Sequence, residues 1–490
     1  MPTTATEVTT SRESAEGSGI TIRDPRTGEV LWTVPEAGPA AVTQAVEVAR
    51  SAAGDWAATA PAERGAALRT AAKALDAAAE ELAGLNASET GRPVQEALAG
   101  IAAGVSTLEQ YAELGPVHRG HSLRGNRLAS DYTVAEPRGV AVLLTPWNDP
   151  VAVACGLIGA ALVTGNTVIH KPSERCPRLG EALGEVLAPA FPPGVFLTLS
   201  GGADVGALLS QAEVDVLAHV GSSASGARIA RAGALTGAHV IRENGGNDPL
   251  LVDRDVDPAW AAEQAAIGAF SNSGQICVAV ERIYVHEAIA AEFCAALEAE
   301  AALRNSNGTV APLVDLRMRD EVHAQVTDAL NQGARVVEGG VLPDGQGSFY
   351  PATVLLDCTG QMQVMTEETF GPVAPVQVVK TFDDGLRLAC SGKYGLAATV
   401  LTGNMAHVQQ AVASLPVGTV KINEVFGGAP GGAAQPRGES GHGFGYGPEL
   451  LDEFSQVKVV HIAAPPAAAM RGAGPEESAG DEAIEEQDQQ

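Results

Sequence analysis

Positive charge is scarce in this chain of 490 residues, which has 31 lysines and arginines against 59 aspartates and glutamates. The formal net charge at pH 7 is −28. Nucleic acids and anionic membranes both require a basic protein surface, so this composition argues against either as a partner. The substrate is not restricted in the same way, because a binding site has a local field of its own.

Paired cysteines and long apolar runs are also missing. No two of the six cysteines form a Cys-x-x-Cys motif or stand at zinc-ligand spacing from histidines, so we expect no metal site. Such thinly spread thiols are typical of a reduced, cytoplasmic protein. The longest apolar run, around residues 151–163, contains Gly156 and Gly159 and is too short to cross a bilayer. Residues 1–18 are polar and lack the apolar core of a signal peptide.

Apolar residues make up 45% of the chain, enough for two or three domains around a large shared core. The two ends differ from the rest in composition. Residues 1–18 are rich in Thr, Ser and Glu, and residues 464–490 combine Pro and Ala with acidic side chains. Both compositions predict disordered segments.

Strand-like and helix-like segments alternate through residues 140–242, which predicts a parallel sheet covered by helices on both faces. A second alternating region, from about residue 250 to 419, predicts a second α/β domain. The Ala-rich residues 39–114 predict a helical scaffold, and residues 454–462 predict a late strand. The glycine-rich residues 423–446 predict a loop.

Three polar motifs follow strands of the first alternating region, at residues 145–150, 171–174 and 221–226. Ligands of such sheets bind at the carboxyl ends of the strands, so we expect the three motifs to converge. A phosphate can be held by backbone N–H groups where Gly221 to Gly226 join a strand to a helix. Their spacing differs from the Gly-x-Gly-x-x-Gly of dinucleotide-binding folds, so this motif is a weak signal by itself.

Two of these motifs carry side chains that each allow two interpretations. Lys171 and Glu174 either hold ribose hydroxyls or form an ordinary surface ion pair. An acidic group at a ribose repels a 2′-phosphate, which would favour NAD over NADP. Asn148, between Pro146 and Pro150, either stabilises an oxyanion or caps the next helix.

Glu243 and Cys277 are the candidate reacting groups. Glu243 ends a predicted strand and precedes Asn-Gly-Gly, so it is either a general base in an apolar cleft or an exposed strand-end carboxylate. Cys277 follows Gly274 on a loop between a helix-like and a strand-like run. It is either a nucleophile that faces a cleft or a small buried hydrophobic residue.

Taken together, these motifs resemble the aldehyde dehydrogenase superfamily over roughly residues 20–463. The pieces occur in the family's order. They are Pro146-Trp-Asn148, Gly165-Asn-Thr-Val with Lys171-Pro-Ser-Glu174, Gly221-Ser222 to Gly226, Glu243-Asn-Gly-Gly246, Gly274-Gln-Ile-Cys277, Glu367-Glu-Thr-Phe-Gly-Pro372 and Ser440-Gly-His-Gly443.

The resemblance implies an α/β fold with a Rossmann-like cofactor-binding domain, a second α/β catalytic domain and a small β extension for oligomerisation. It assigns residues 19–125 and 139–243 to the NAD-binding domain and residues 244–453 to the catalytic domain. Residues 126–138 and 454–463 would be strands of the oligomerisation extension. The expected assembly is a homodimer or a homotetramer.

The implied activity is NAD(P)-dependent oxidation of an aldehyde to the carboxylic acid, with NAD expected and NADP less so. Cys277 would attack the carbonyl, Asn148 and the Cys277 backbone N–H would hold the oxyanion, and Glu243 would activate the water that hydrolyses the thioester. Enzymes that pass the acyl group to coenzyme A usually lack the carboxylate at the Glu243 position. A coenzyme A-acylating enzyme and a catalytically silent scaffold are the alternatives.

The resemblance also implies roles for individual residues. The catalytic ones are Cys277, Glu243, Asn148 and Lys171. The cofactor-binding ones are Trp147, Lys171, Ser173, Glu174, Gly221, Ser222, Gly226, Gly245, Glu368 and Phe370.

Departures from the family pattern bear on the substrate. Asn244 and Asn247 replace the Leu and Lys of Glu-Leu-Gly-Gly-Lys, and the Gly-Gly-Asn-Asp-Pro form resembles branches that act on small polar aldehydes. Asp149 stands where many members place an aromatic residue of the substrate tunnel. Because an unpaired buried carboxylate is costly, Asp149 favours a polar and even cationic substrate and disfavours an anionic one. The two hints conflict, so the sequence leaves the choice of aldehyde open. The predicted substrate-wall residues are Asp149, Ile276 and Val278.

Overall fold

The computed structural model describes residues 19–428, 432–433 and 435–464. The segments predicted to be disordered, residues 1–18 and all but the first residue of 464–490, lie outside this part of the chain. The described helices are α1 (Pro39–Ala58), α2 (Pro61–Ala77), α3 (Ala79–Thr90), α4 (Val94–Leu114), α5 (Pro150–Val163), α6 (Pro177–Leu187), α7 (Ala203–Gln211), α8 (Ser223–Thr236), α9 (Pro258–Phe270), α10 (Ala290–Ser306), α11 (Leu316–Asn331), α12 (Phe382–Ala389), α13 (Met405–Ser414) and α14 (Leu450–Glu453).

The described strands form several sheets. They are β1 (Gly19–Arg23), β2 (Val30–Pro35), β3 (Ser122–Leu123), β4 (Ala129–Pro137), β5 (Val140–Leu144), β6 (Thr167–Lys171), β7 (Phe196–Thr198), β8 (Val216–Gly221), β9 (His239–Asn244), β10 (Asp248–Val252), β11 (Val280–His286), β12 (Arg335–Glu338), β13 (Thr353–Leu356), β14 (Val373–Val379), β15 (Tyr394–Gly395), β16 (Ala397–Leu401), β17 (Thr419–Ile422), β18 (Arg437–Gly438), β19 (Gly441–His442) and β20 (Ser455–Ala463).

The first large sheet has the strand order β19-β9-β8-β5-β6-β7. Strands β5 to β9 are parallel, and the short β19 is antiparallel at one edge. Every residue of β5 is buried, because α2, α4, α5 and α6 pack on one face of the sheet and α1, α7 and α8 on the other. A strand that is covered on both faces has a continuous run of apolar residues. This run is why β5 could be predicted from the sequence.

The predicted convergence of the polar motifs follows from this strand order. Strands β6, β5 and β8 are neighbours, and Leu144 on β5 pairs with both Lys171 on β6 and His219 on β8. The segments that follow these three parallel strands therefore leave the same edge of the sheet side by side.

The second large sheet has the order β12-β13-β14-β11-β10-β16-β17, with only β12 antiparallel to its neighbour among the pairs described. Helices α9 and α10 cover one face, and α11, α12 and α13 cover the other. The second α/β region predicted from the sequence is thus present, and Cys277 lies on the connection between α9 and β11.

The glycine-rich segment at residues 423–446 is not wholly a loop, as the sequence predicts. It contains β18 and β19, and Gly441 on β19 pairs with Glu243 on β9. Gly441 has a φ of 140°, and a Cβ there would lie 2.0 Å from the carbonyl oxygen of Arg242. Only glycine allows this approach, so the pairing is invisible to a propensity argument.

Residues 119–135 and 457–464 belong to a compact unit of their own. Its sheet has the order β20-β4-β3, and the predicted late strand is β20. On β20 the apolar side chains of Val457, Val459 and Ile462 are exposed. No described helix, in this unit or in the rest of the chain, is long and apolar enough to cross a membrane.

Candidate active site

The loop that carries Cys277 has an unusual backbone. Asn272, Ser273 and Gly274 all have left-handed φ values, of 46°, 55° and 73°. This conformation is strained for residues with a side chain, and such strain is concentrated at functional sites. At position 274 glycine is also required by space, because a Cβ would lie 2.1 Å from the carbonyl oxygen of Gly371.

Gln275 holds the loop from inside. Its buried side chain donates to the carbonyl oxygen of Asn272 at 3.0 Å and accepts from the backbone N–H of Val314 at 2.9 Å. Cys277, two residues on, is only half-buried. The residue is therefore not part of a packed apolar core.

The side chain of Asn148 reaches the same loop. Its Nδ2 donates to the carbonyl oxygen of Gln275 at 3.2 Å, and an amide has a second N–H to offer. The interpretation of Asn148 as a helix cap is wrong, because the N-cap of α5 is Asp149 and no side chain caps that helix. The amide is instead held beside Cys277.

Asp149 does not have the unpaired charge that the sequence suggested. Its Oδ1 lies 2.8 Å from Nη1 of Arg92, and the same nitrogen donates to the carbonyl oxygen of Asn148 at 2.9 Å. The Asp149 side chain is 35% exposed and that of Arg92 is 13% exposed. The argument for a cationic substrate required an uncompensated carboxylate, so it loses its premise.

Glu243 lies near the end of β9, opposite Gly441 of β19. It is half-buried, and its carboxyl packs on the backbone of Gly445, where a Cβ would lie 2.5 Å from Oε2. Burial raises the pKa of Glu243 to about 7. It is therefore not an exposed strand-end carboxylate, and near neutral pH it can accept and release a proton, as a general base must.

The Cys277 thiol is surrounded mainly by carboxyl groups. Burial raises the pKa of Cys277, and Glu243, Asp248 and Glu368 raise it further, whereas the Lys421 ammonium lowers it. The thiol is therefore protonated at neutral pH. Glu243 has the largest influence of these charged groups.

Lys171 and Glu174 form an ion pair, but not an ordinary surface one. Lys171 is buried, its Nζ donates to the carbonyl oxygen of Pro172 at 2.9 Å, and it lies 3.6 Å from Oε2 of Glu174. Burial lowers the pKa of Lys171, and Glu174 opposes that shift. Ser173 is buried beside them, while Glu174 is exposed and open to a ligand.

Helix α8 begins at Ser223, earlier than predicted, with Ser222 as its N-cap. Gly221 and the exposed Ser222 therefore lie at a helix N-terminus, where free N–H groups bind phosphate. Gly226 is in the first turn and is buried, and a Cβ there would lie 2.2 Å from Oδ1 of Asn244. Its structural role is close packing of helix on strand.

The other residues predicted to bind the cofactor contact one another near Cys277. The rings of Trp147 and Phe370 meet edge to face, with centroids 5.6 Å apart. Glu368 Oε1 accepts from the N–H of Gly246 at 3.2 Å, and a Cβ on Gly245 would overlap that carboxylate.

Sequence reasoning missed Glu281, which organises this contact. Its carboxylate accepts from the N–H groups of Thr369 at 2.9 Å and Phe370 at 2.8 Å, and from Nδ2 of Asn247 at 3.2 Å. An acidic residue inside the strand-like run that became β11 was the available signal. Asn247, which replaces the family's lysine, thus helps to hold the Phe370 loop.

Further residues lie beside Cys277 and beside Glu243. Ile276 and Val278, the predicted substrate-wall residues beside Cys277, are half-buried. Gly445 and Tyr446 are close to Glu243 and were hidden in the glycine-rich stretch. Among the described residues, no group of three or more His, Cys, Asp and Glu side chains is arranged to hold a metal ion.

Comparison with known proteins agrees with this geometry. The aldehyde dehydrogenase family model matches residues 11–460. The chain belongs to the aldehyde dehydrogenase family. The resemblance in the motifs is thereby confirmed, and with it the expected class of activity, NAD(P)-dependent oxidation of aldehydes.

Relatives within this family match nearly the whole chain. A betaine aldehyde dehydrogenase of Rhizobium etli is 33% identical over 479 residues, which cover 93% of this chain and 96% of that enzyme. A betaine aldehyde dehydrogenase of Cereibacter sphaeroides is 35% identical over 469 residues, 92% of this chain and 95% of that enzyme.

Solved structures of aldehyde dehydrogenases also resemble this one. Lactaldehyde dehydrogenase from Escherichia coli superposes with a TM-score of 0.88 at 29% identity, covering 92% of this chain and 97% of that one. Betaine aldehyde dehydrogenase from Staphylococcus aureus, in complex with NAD+, has a TM-score of 0.89 at 28% identity and covers 93% of both chains. The predicted α/β class is confirmed, and the NAD+ complex supports the expectation of NAD.

The raised pKa of Glu243 predicts how hydrolysis depends on pH. With p-nitrophenyl acetate, the burst of nitrophenolate reports acylation of Cys277 and the steady rate reports deacylation. Only the ionised carboxylate acts as a base, so the steady rate should rise with pH through the pKa of Glu243, at about 7. Glu243→Gln should lower it by about 10² to 10⁴-fold and keep the burst.

Glu287→Gln, at an exposed carboxylate after β11, is the matched control and should behave as the wild type. A steady rate that is flat from pH 5 to 9, or unchanged in Glu243→Gln, would exclude Glu243 as the base.

Proposed function

We propose that this protein oxidises a small polar aldehyde to its carboxylic acid with NAD, through a thioester on Cys277. One observation carries the proposal. The amide of Asn148 bonds to the loop that carries Cys277, and the carboxyl of Glu243, whose pKa burial raises to about 7, is the charged group with the largest influence on the Cys277 thiol. A nucleophile, an oxyanion donor and a base are the groups that this reaction requires.

The reaction begins when the Cys277 thiol loses its proton to solvent and its sulfur bonds to the aldehyde carbon. The second amide N–H of Asn148 and the backbone N–H of Cys277 stabilise the oxyanion, and one such donor contributes about 3 kcal/mol. NAD supplies the oxidising equivalent when it is bound, by taking a hydride. Glu243 then removes a proton from the water that attacks the thioester, which releases the acid and the thiol.

The residues present fit a dinucleotide. At the carboxyl edge of the first sheet, the N-terminus of α8 at Gly221 and Ser222 suits a pyrophosphate, and exposed Glu174 suits a ribose. Lys171 and Ser173 complete that group. A second group, Trp147, Gly245, Glu368 and Phe370, lies around Cys277. Two groups of this kind suit the two ends of an extended cofactor.

Water is the proposed acceptor of the acyl group. Glu243 is half-buried, and its charge raises the pKa of the Cys277 thiol. Its presence supports hydrolysis of the thioester over transfer of the acyl group to coenzyme A. Turnover that requires added coenzyme A would favour the acylating alternative. A silent scaffold would have no reason to keep the thiol, the amide and the carboxyl together.

The substrate class rests on charge and size. The pairing of Asp149 with Arg92 leaves no net charge beside Asn148, which favours a neutral polar aldehyde. Among the relatives' names, lactaldehyde dehydrogenase describes a small neutral substrate, whereas betaine aldehyde dehydrogenase describes a small cationic one.

The proposal extends to domains, assembly and location. Residues 19–125 and 139–243 would bind NAD, and residues 244–453 would complete the catalytic site. Strands at 126–138 and 454–463 would join subunits in a homodimer or homotetramer, which the exposed apolar side chains of β20 support. A cytoplasmic location is supported by six free cysteines.

The activity has a direct test. The protein is incubated with NAD and a panel of small polar, aromatic and amino aldehydes, and the absorbance of reduced cofactor is followed. We expect turnover with small neutral polar aldehydes and, in Cys277→Ala, only the rate of the enzyme-free control, because no other group forms the thioester. Cys390→Ala is the control thiol. No turnover on the whole panel, or equal turnover in Cys277→Ala, would overturn the proposal.

Cofactor choice tests Glu174. Its exposed carboxylate should repel the 2′-phosphate of NADP, so kcat/KM should favour NAD, and Glu174→Gln should narrow that preference by roughly ten-fold. Glu185→Gln, an exposed carboxylate on α6, is the control. An NADP preference in the wild type would contradict this role.

A further inference from the structure

Arg92 lies where two parts of the proposed site meet. It stands between α3 and α4, and its Nη1 contacts two acceptors, Oδ1 of Asp149 at 2.8 Å and the carbonyl oxygen of Asn148 at 2.9 Å. The guanidinium thus bonds to the backbone of Asn148, the proposed oxyanion donor, and to the side chain of Asp149.

The Asp149 carboxylate does not form the hydrogen bond that is usual at its position. An Asp at the N-cap normally accepts a hydrogen bond from its own helix, but Asp149 makes no such bond to α5. Space for the alternative comes from Gly100 on α4, where a Cβ would lie 2.6 Å from Oδ1 of Asp149. A charge-assisted bond to Arg92 replaces the cap.

Glu96 is the other acid near Arg92, with Oε2 at 4.0 Å from Nε. Burial raises the pKa of Glu96, Arg92 opposes that shift, and Asp149 adds to it. Glu96 is therefore the weaker partner, and Asp149 is the carboxylate that neutralises Arg92.

This pair lies beside Asn148, because Asp149 follows it in the chain and Arg92 bonds to both residues. Consecutive Cα atoms are about 3.8 Å apart, and the Asp149 side chain remains 35% exposed. A bare carboxylate there would attract cationic molecules and repel anionic ones, whereas a matched pair does neither.

We infer that Arg92 is a specificity-determining residue, which cancels the charge of Asp149 beside Asn148 so that the site does not select cationic aldehydes. The inference rests on the proposed function, in which the aldehyde meets Cys277 beside Asn148.

The test measures charge at the thiol without aldehyde or cofactor. Two methanethiosulfonates, one with a trimethylammonium and one with a sulfonate head, modify Cys277, and peptide mass spectrometry gives each rate at low ionic strength. The ratio of cationic to anionic rates should rise about ten-fold in Arg92→Met and fall about ten-fold in Asp149→Asn. The double variant should return to the wild-type ratio.

Arg69→Met removes an exposed ion pair with Glu113 and is the matched control. If Arg92→Met does not fold, the rate ratio of Asp149→Asn alone tests the inference, because that substitution keeps the size and shape of the side chain. Ratios that stay at the wild-type value in Asp149→Asn overturn the inference even if the protein oxidises aldehydes. If the rate ratios shift as expected but the protein oxidises no aldehyde, Arg92 does cancel the charge of Asp149 and the proposed function is rejected.

Discussion

The site depends on one constrained turn. Three consecutive left-handed residues end at Gly274, and the buried amide of Gln275 locks them by bonds on both sides. Strain of this kind persists only where surrounding contacts fix it. Because Gly274 lies against the carbonyl oxygen of Gly371, the same turn joins the Cys277 loop to the segment that holds Phe370.

Burial and nearby carboxyl groups raise the pKa of the Cys277 thiol, so the thiol is protonated at neutral pH and must lose its proton before it attacks. Glu243 is suited to a later step, the removal of a proton from the hydrolytic water, since burial raises its pKa to about 7. Glu281 serves a different purpose with similar chemistry, because three donors hold its carboxylate in one place.

The sequence predicted features that local patterns encode. The continuous apolar run of β5 and the motifs at 171–174 and 221–226 followed from strand–helix alternation, and the strand order brings those motifs together. The pairing of Asp149 with Arg92 was not predictable, because the two residues are far apart in the chain and each has an ordinary local context. The same holds for Gly441 and Gly445, whose importance comes from what approaches them.

The roles of individual residues could also be predicted only in part, because they depend on tertiary contacts. Asn148, with a proline two residues away on each side, fitted a helix cap and an oxyanion donor equally well, and its bond to Gln275 excludes the cap. Gly226 matched a phosphate motif, yet its contact with Asn244 shows that helix packing also requires it. A residue type limits what a side chain can do, and tertiary contacts choose among those options.

The central claim is that Cys277 carries the acyl group and Glu243 removes it. Intact and peptide mass spectrometry of Glu243→Gln, mixed with NAD and an aldehyde that the wild type oxidises, tests this directly. We predict one acyl group per subunit, on the Cys277 peptide, that persists in the variant and is absent from Cys277→Ala. A Glu243→Gln protein that carries no adduct, or carries it on another cysteine, would contradict the account.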